Sequence, residues 1–177
     1  VGRWLAVGLG LGLTVVIVLH DTHPVTKLPG KNLLPDKDPL TRVRGWRATA
    51  EVVAEQRAKL LAEGKPVFLI GSHYGVTSLI SFYLPEAKAG EPREPLAYYQ
   101  SSEHPENQYF FWPGYRESRQ GQNAIYIQEI KSNTKLEPPP TRLAVEFSTV
   151  ADLGKFEVLE RGRVIRHIRL IACRDLR

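Results

Sequence analysis

The stretch that decides the fold is KPVFLIGSHYGVTSLISFYLP, Lys65 to Pro85. Its first part, Pro66 to Ile70, is a short continuous apolar run, which is typical of a strand covered on both faces. The letters GSHYG mark a tight turn, and the residues from Tyr74 onward return to helical spacing. A strand that turns directly into a helix predicts an α/β layer.

The preceding residues predict a helix from about Gly45 to Glu63. Its apolar positions fall near one stripe of an amphipathic helix, and Gly64 stands where a left-handed C-terminal cap belongs. The residues of this stripe are Trp46, Ala50, Val53, Leu60 and Leu61. A helix, a strand and a second helix therefore follow one another along the chain.

The residues after Pro85 predict further strands. The candidates are Leu96 to Gln100, Ala124 to Glu129 and Arg142 to Phe147. The end of the chain predicts a hairpin in which Lys155 to Glu160 pairs with Val164 to Arg174 across the turn at Gly162. We therefore expect a small α/β domain with a mixed, mainly parallel sheet and a C-terminal antiparallel hairpin.

The chain begins with an apolar segment. From Trp4 to Leu19 every residue except Thr14 is apolar or glycine. A helix of this length covers roughly 24 Å of a hydrocarbon layer about 30 Å thick. A chain that starts at Val1 and holds no Met is expected to be part of a longer protein, which would account for the missing length. A signal peptide is the alternative, but no small residues for cleavage follow the segment.

These features divide the chain into three predicted parts. Residues 1–20 are expected to end a transmembrane helix, residues 21–44 to form an extended proline-containing linker, and residues 45–177 to form the soluble α/β domain. Arg3 on the N-terminal side favours an extracytoplasmic, periplasmic position for that domain at the cell inner membrane. His20, Asp21 and His23 could ligate a metal, but a polar collar at the membrane interface is the favoured interpretation.

Composition excludes several classes of function. A length of 177 residues allows one core of ordinary size, and the single cysteine, Cys173, excludes an intramolecular disulfide. The formal net charge is +5, but the basic residues are dispersed along the chain, which argues against nucleic-acid binding. We expect no metal and no cofactor.

The turn at Ser72, His73 and Tyr74 allows three interpretations. GSHYGVTS lacks the third glycine or the lysine of a nucleotide-binding fingerprint, although free amides at a helix N-terminus could still bind an anion. Ser72 and His73 are adjacent, which does not by itself make a catalytic pair, because the two side chains must point at one another. The favoured interpretation is structural: Ser72 caps the helix and Tyr74 packs beneath it.

The stretch NQYFFWPGY is rich in aromatic residues. Its residues Asn107 and Gln108 could hydrogen-bond a hydroxylated ligand, and Tyr109 and Trp112 could stack on a sugar. The alternative is that these aromatic residues pin a loop to the core or rest at a lipid interface. Both interpretations stay open at this point.

Several stretches together resemble the C-terminal soluble region of bacterial glycosyltransferase-39-like membrane proteins, which are related to dolichyl-phosphate-mannose protein mannosyltransferases. The similarity rests on DPLTRVRGWRA from Asp38, HYGVTSLISFYLP from His73, NQYFFWPG from Asn107, GQNAIYIQE from Gly121 and the closing GRVIRHIRLIACRDL. Order and spacing also agree, and the similarity covers nearly the whole chain. Ser72 and His73 stand where the family has an acidic and a basic residue, so a charge-based role for the turn does not carry over.

The resemblance implies a multi-helix membrane enzyme that transfers a sugar from a polyprenyl-phosphate carrier. Its general base would belong to an early extracytoplasmic loop upstream of Val1, so no catalytic residue is assigned here. The domain would shape or cover the acceptor site through Ser72, His73, Tyr74, Asn107, Gln108, Tyr109 and Trp112. Its partners would be membrane lipid, the upstream transmembrane helices and the lipid-linked sugar donor. The alternatives are a membrane-tethered α/β binding module without transferase activity and an independent small enzyme using Ser72 and His73.

Overall fold

The structure is a computed structural model, which describes residues 2–20, 42–90, 94–99, 104 and 107–177. The chain divides into two compact units, residues 1–44 and residues 45–177. The predicted linker, residues 21–44, lies outside the described residues except for its last three.

In the described part of the first unit, helix α1 runs from Gly2 to His20. Its large apolar side chains are exposed, with Trp4 81 % and Leu9 67 % accessible. The helix predicted for Trp4 to Leu19 is therefore formed. Among the described residues, however, no helix reaches the combined length and apolar character needed to cross a membrane. The transmembrane assignment of this segment is not supported.

The second unit is built on a five-stranded sheet of order β2-β1-β3-β5-β4. Strand β1 pairs in parallel with β2 and with β3, whereas β5 pairs antiparallel with β3 and β4. The strands are Val67–Gly71 (β1), Ala97–Tyr99 (β2), Asn123–Ile130 (β3), Phe147–Glu160 (β4) and Arg163–Leu176 (β5). The prediction of an α/β domain with a mixed sheet is confirmed.

The prediction that the sheet is mainly parallel is wrong, because the antiparallel part is larger than expected. The C-terminal hairpin forms as predicted, but its strands run for 14 residues each. Strand β5 also pairs with β3 over the register from Ala124–Cys173 to Ile130–His167. The hairpin therefore supplies two of the five strands, and it includes the two longest strands of the sheet.

Helices cover both faces of this sheet. They are Trp46–Leu61 (α2), Tyr74–Tyr83 (α3), Pro85–Gly90 (α4), Tyr115–Ser118 (α5) and Thr141–Glu146 (α6), with a 3-10 helix at Gln108–Phe111. Apolar residues of α2, α3 and α4 share one core with Leu69, Ile125 and Leu170. Tyr115 of α5 and Leu143 of α6 belong to a second core on the other face. Strand β1 is buried throughout, as its apolar run predicts.

Two local predictions have opposite outcomes. Gly64 takes a positive φ of 91° just after α2, as expected for a left-handed cap. The strand predicted for Arg142 to Phe147 is wrong, because Thr141–Glu146 is helix α6. Leu143 and Glu146 lie one helical turn apart and are buried, whereas Val145 is 67 % exposed. Burial with a period of three to four residues favours a helix over a strand.

Candidate functional site

The candidate site lies at the carboxyl ends of the parallel strands. After β1 the chain enters α3, which packs on one face of the sheet. After β3 it continues through residues 131–140 to α6, which packs on the other face. Two neighbouring parallel strands whose connections leave toward opposite faces form a topological switch point, where open α/β sheets commonly bind ligands. Ser72 and His73 lie directly at this point.

The turn between β1 and α3 is held tightly against the sheet. The Ser72 amide donates to the Ile127 carbonyl at 2.9 Å, which extends the pairing of β1 with β3. The buried Thr77 hydroxyl lies 3.3 Å from the Tyr98 carbonyl and 3.4 Å from the His73 carbonyl. Gly71 allows this close approach, because a Cβ there would lie 2.3 Å from Thr77 Oγ1. The glycine thus lets α3 start directly on the strand end.

The helix cap is His73 and not Ser72, so this part of the structural interpretation is wrong. His73 has extended backbone angles, and its Nδ1 accepts from the Gly75 amide at 3.1 Å. An accepting Nδ1 leaves the ring proton on Nε2. Tyr74 does not pack beneath the helix either, because half of its surface is exposed. Its ring instead lies against the His73 ring, with centroids 4.0 Å apart.

Ser72 is directed toward the sheet. Burial raises the pKa of Tyr126, on the neighbouring strand β3, to about 12, and a hydrogen bond with the Ser72 side chain opposes that rise. Ser72 and His73 therefore engage different partners. Among the described residues no carboxylate is hydrogen-bonded to His73, so the arrangement lacks both the contact and the orienting acid of a Ser-His-Asp triad. The structure does not favour an independent enzyme built on this pair.

The aromatic stretch meets α3 close to this turn. The Asn107 side chain accepts from the Tyr109 amide at 3.0 Å and so caps the 3-10 helix. The Tyr109 hydroxyl lies 2.6 Å from Ser78 Oγ on α3. The Tyr109 ring lies 6.0 Å from the Tyr99 ring and 4.9 Å from the Trp112 ring, measured between centroids. Two stretches separated by more than thirty residues in sequence are therefore joined at one surface.

The predicted site residues have different environments. Ser72, Asn107 and Tyr109 are half-buried and bonded, as described above. Trp112 is 49 % exposed and Gln108 is also exposed. The side chains open to a ligand are therefore Trp112, Gln108, His73 and Tyr74.

An ion pair between the buried Arg169 of β5 and the more exposed Asp152 of β4 adds charge near Tyr126, and no sequence pattern indicated it. Arg169 donates from Nε at 3.0 Å and from Nη2 at 2.6 Å to one carboxylate oxygen of Asp152. These hydrogen bonds are the main reason why the pKa of Asp152 is lowered. Arg169 is almost fully buried, and its positive charge favours the ionised form of Tyr126. Only the β4–β5 register brings Asp152 and Arg169 together.

A second buried network was also missed and serves packing. Glu146 accepts from the Tyr115 hydroxyl at 2.5 Å and from Arg116 at 2.6 Å and 3.1 Å. Arg142, four residues before it, donates to the same carboxylate at 2.9 Å. The hydrogen bond to Glu146 also raises the pKa of Arg116. These contacts join α5 to α6 beneath the second core.

In the parts of the chain that the structure covers, no three His, Cys, Asp or Glu side chains are grouped so that they could hold a metal. His20 ends α1, whereas Asp21 and His23 lie outside the described residues. The metal interpretation of these three residues therefore gains no support.

No family model, curated protein or solved structure matches the chain. The resemblance to glycosyltransferase-39-like proteins thus stays a prediction from sequence motifs.

Proposed function

We propose that residues 45–177 form a non-catalytic, sugar-recognising domain of a membrane glycosyltransferase that uses a polyprenyl-phosphate sugar donor. The observation that carries this proposal is the partly exposed ring pair of Tyr109 and Trp112, which the Ser78–Tyr109 hydrogen bond attaches to α3, the helix that starts at the switch point of the sheet. Sugar rings bind through stacking on aromatic faces together with hydrogen bonds from a few placed polar groups. This surface supplies both kinds of contact.

The stacking partner in this proposal is Trp112. Its ring is inclined by 58° to the Tyr109 ring, and about half of the residue is exposed. Because the Trp112 ring contacts Tyr109 on one side and is open on the other, it offers a rigid apolar face that loses little conformational entropy when a ligand binds. The Ser78–Tyr109 hydrogen bond fixes Tyr109, and with it this face, next to α3. Gln108 and His73 supply exposed polar groups for the hydroxyls of the sugar.

The domain is proposed as a recognition unit because the groups around His73 do not form an acid-base pair. The Nδ1 atom of His73 accepts from the Gly75 amide. The buried Glu146 and the more exposed Asp152 are already bonded to arginines. The chemistry would belong to an acidic residue of the membrane-embedded part, as the sequence resemblance implies. The exposed apolar surface of α1 would be covered by lipid and by helices of that same membrane body.

Acceptor kinetics of the intact membrane enzyme test this proposal. Replacing Trp112 and Gln108 together by Ala should raise the KM for the acceptor by roughly tenfold or more, because one stacking contact and one hydrogen bond are lost. The KM for the lipid-linked donor should stay within about twofold, since donor binding is assigned elsewhere. Phe111→Ala is the matched control, because Phe111 lies in the same segment, is 86 % exposed and is not assigned a contact.

A direct binding experiment gives the second readout. Methyl glycosides of mannose, glucose and galactose at millimolar concentration should shift the Trp112 indole NMR signal of the chain while leaving that of buried Trp46 unchanged. Unaltered acceptor kinetics in a folded Trp112→Ala, Gln108→Ala enzyme would exclude the proposed role. The coding sequence upstream of Val1 tests the parent protein, because a binding module without a transferase would lack several hundred apolar-rich residues there.

A further inference from the structure

A second surface, at the opposite end of α3, has a different character from the sugar site. Phe82 is 60 % exposed, and its ring meets the Tyr83 ring edge to face with centroids 5.0 Å apart. Lys88 Nζ lies 5.0 Å from the centre of the Phe82 ring, and Arg47 Cζ lies 5.9 Å from the centre of the Tyr83 ring. We name these four residues the Phe82 patch.

The chemistry of the Phe82 patch is that of a membrane interface. Aromatic rings are enriched at the level of lipid headgroups, and each Lys or Arg near an anionic surface adds to the attraction. The other cation–aromatic contacts among the described residues involve the buried rings of Tyr98 and Trp46. In the Phe82 patch the Phe82 ring and both cations are exposed, whereas Tyr83 is half-buried against the first core. Burial lowers the pKa of Arg57, and the charge of Glu86, two residues before Lys88, opposes that shift.

We infer that the Phe82 patch is a docking surface for the headgroup region of an anionic membrane. This inference rests on the membrane placement in the proposed function, because α1 would keep the domain within reach of a bilayer. Because α1 and residues 45–177 belong to one chain, a bilayer bound by α1 would raise the local concentration of lipid at the Phe82 patch, and a weak second contact would then be effective.

Docking at the Phe82 patch would also place the sugar site. Phe82 follows Tyr74 by eight residues, so the two lie about 12 Å apart along the axis of α3 and about 80° apart around it. The aromatic surface around Trp112 would then open next to the bilayer surface. An acceptor that is itself attached to lipid would reach the site without leaving the membrane.

An environment-sensitive dye on a single new cysteine tests the docking. Ala89→Cys, which is exposed next to Lys88 and leaves the Phe82 ring in place, carries the dye in one variant of the whole chain. Val145→Cys carries it in the control. Val145 is 67 % exposed on α6, on the opposite face of the sheet. The natural thiol, Cys173, is buried and does not compete for the dye. The probes are vesicles of phosphatidylglycerol and phosphatidylcholine in equal parts, and vesicles of phosphatidylcholine alone.

We expect a blue shift at position 89 and none at position 145 with the anionic vesicles. Arg47→Gln together with Lys88→Gln should weaken the docking by roughly 30-fold, because each cation contributes about fivefold. Sedimentation with vesicles measures α1 separately and should be the same for all variants. Sedimenting protein with no shift at position 89, or with equal shifts at both positions, overturns the docking alone. Protein that does not sediment at all overturns the membrane placement as well.

Discussion

A methyl group added at Gly71 would lie 2.3 Å from Thr77 Oγ1 and 2.9 Å from the Thr77 amide nitrogen. The second contact is with backbone, so the side chain of Thr77 cannot relieve it by rotating. Gly71→Ala should therefore push the start of α3 away from β1. We expect a loss of roughly 1–3 kcal/mol in the free energy of unfolding, which is typical of an overpacked site.

Urea unfolding of Gly71→Ala beside Gly90→Ala measures this effect. A Cβ at Gly90 would meet no atom within 4 Å, and this glycine ends the short helix α4. Gly90→Ala should be neutral or slightly stabilising. Equal stabilities of the two variants would show that α3 does not depend on its close approach to the strand.

The same turn shows what the sequence could predict at single residues. The glycines and the change from strand to helical spacing correctly indicated a sharp turn after Ile70. The identity of the cap could not be predicted, because Ser is a preferred capping residue and both Ser72 and His73 precede the helix. The outcome depended on tertiary structure: the Ser72 side chain has Tyr126 as a partner on the neighbouring strand.

Glu146 is the residue through which α5 and α6 are joined. Its carboxylate is 5 % exposed and accepts from Tyr115, Arg116 and Arg142. Glu146→Gln removes the negative charge and replaces one acceptor oxygen by a donor that faces other donors. Because hydrogen bonds to buried charged groups are strong, we expect a loss of roughly 2–3 kcal/mol in the free energy of unfolding.

Thermal unfolding of Glu146→Gln, compared with Glu117→Gln, measures this loss. Glu117 lies in the same helix as Tyr115 but is exposed. Its substitution should change the melting temperature by no more than about 1 °C, whereas Glu146→Gln should lower it by roughly 8–12 °C. A similar melting temperature for both variants would mean that the network is not needed to hold α5 on α6.

Secondary structure could be predicted where the apolar pattern continued over many residues, and the prediction failed where the pattern covered only a few. Helix α2 and strand β1 had clear patterns and were placed within a few residues. The run Arg142 to Phe147 is too short for its spacing to separate strand from helix. The preceding prolines, which favour a helix start directly after them, were the signal that pointed to α6.

At the scale of the whole domain, the sheet order depends on contacts between distant parts of the chain. The turn at Gly162 predicted that β4 and β5 pair with each other, because a hairpin is a local feature. It did not predict that β5 inserts beside β3, which pairs Ile127 with Leu170. Pairing with β3 makes β5 an interior strand with buried apolar residues, and it also brings Arg169 close to Tyr126. The charge near the candidate site is therefore a consequence of topology.

Strand β5 lies between β3 and β4 and carries the buried Cys173, and this makes the free energy of unfolding sensitive to alkaline pH. Burial raises the pKa of the Cys173 thiol from 9.0 to about 12. Below pH 9 the thiol is protonated in both the folded and the unfolded state. Above pH 9 the unfolded chain loses this proton and the folded one keeps it, so the free energy of unfolding falls as the pH rises toward 12. Tyr126 acts in the same direction from about pH 10.

Urea unfolding at about pH 8 and about pH 10.5 tests the contribution of Cys173. Between these values the wild-type chain should lose on the order of 2 kcal/mol more than Cys173→Ala, because one ionisation differs by up to about 1.5 pH units. The quantity to compare is the change in the free energy of unfolding between the two pH values, because the cost of the smaller side chain is the same at both. Tyr126 is present in both proteins, so its own ionisation contributes equally to the two changes. Parallel losses in the two proteins would mean that the thiol ionises as readily in the folded sheet as in the unfolded chain.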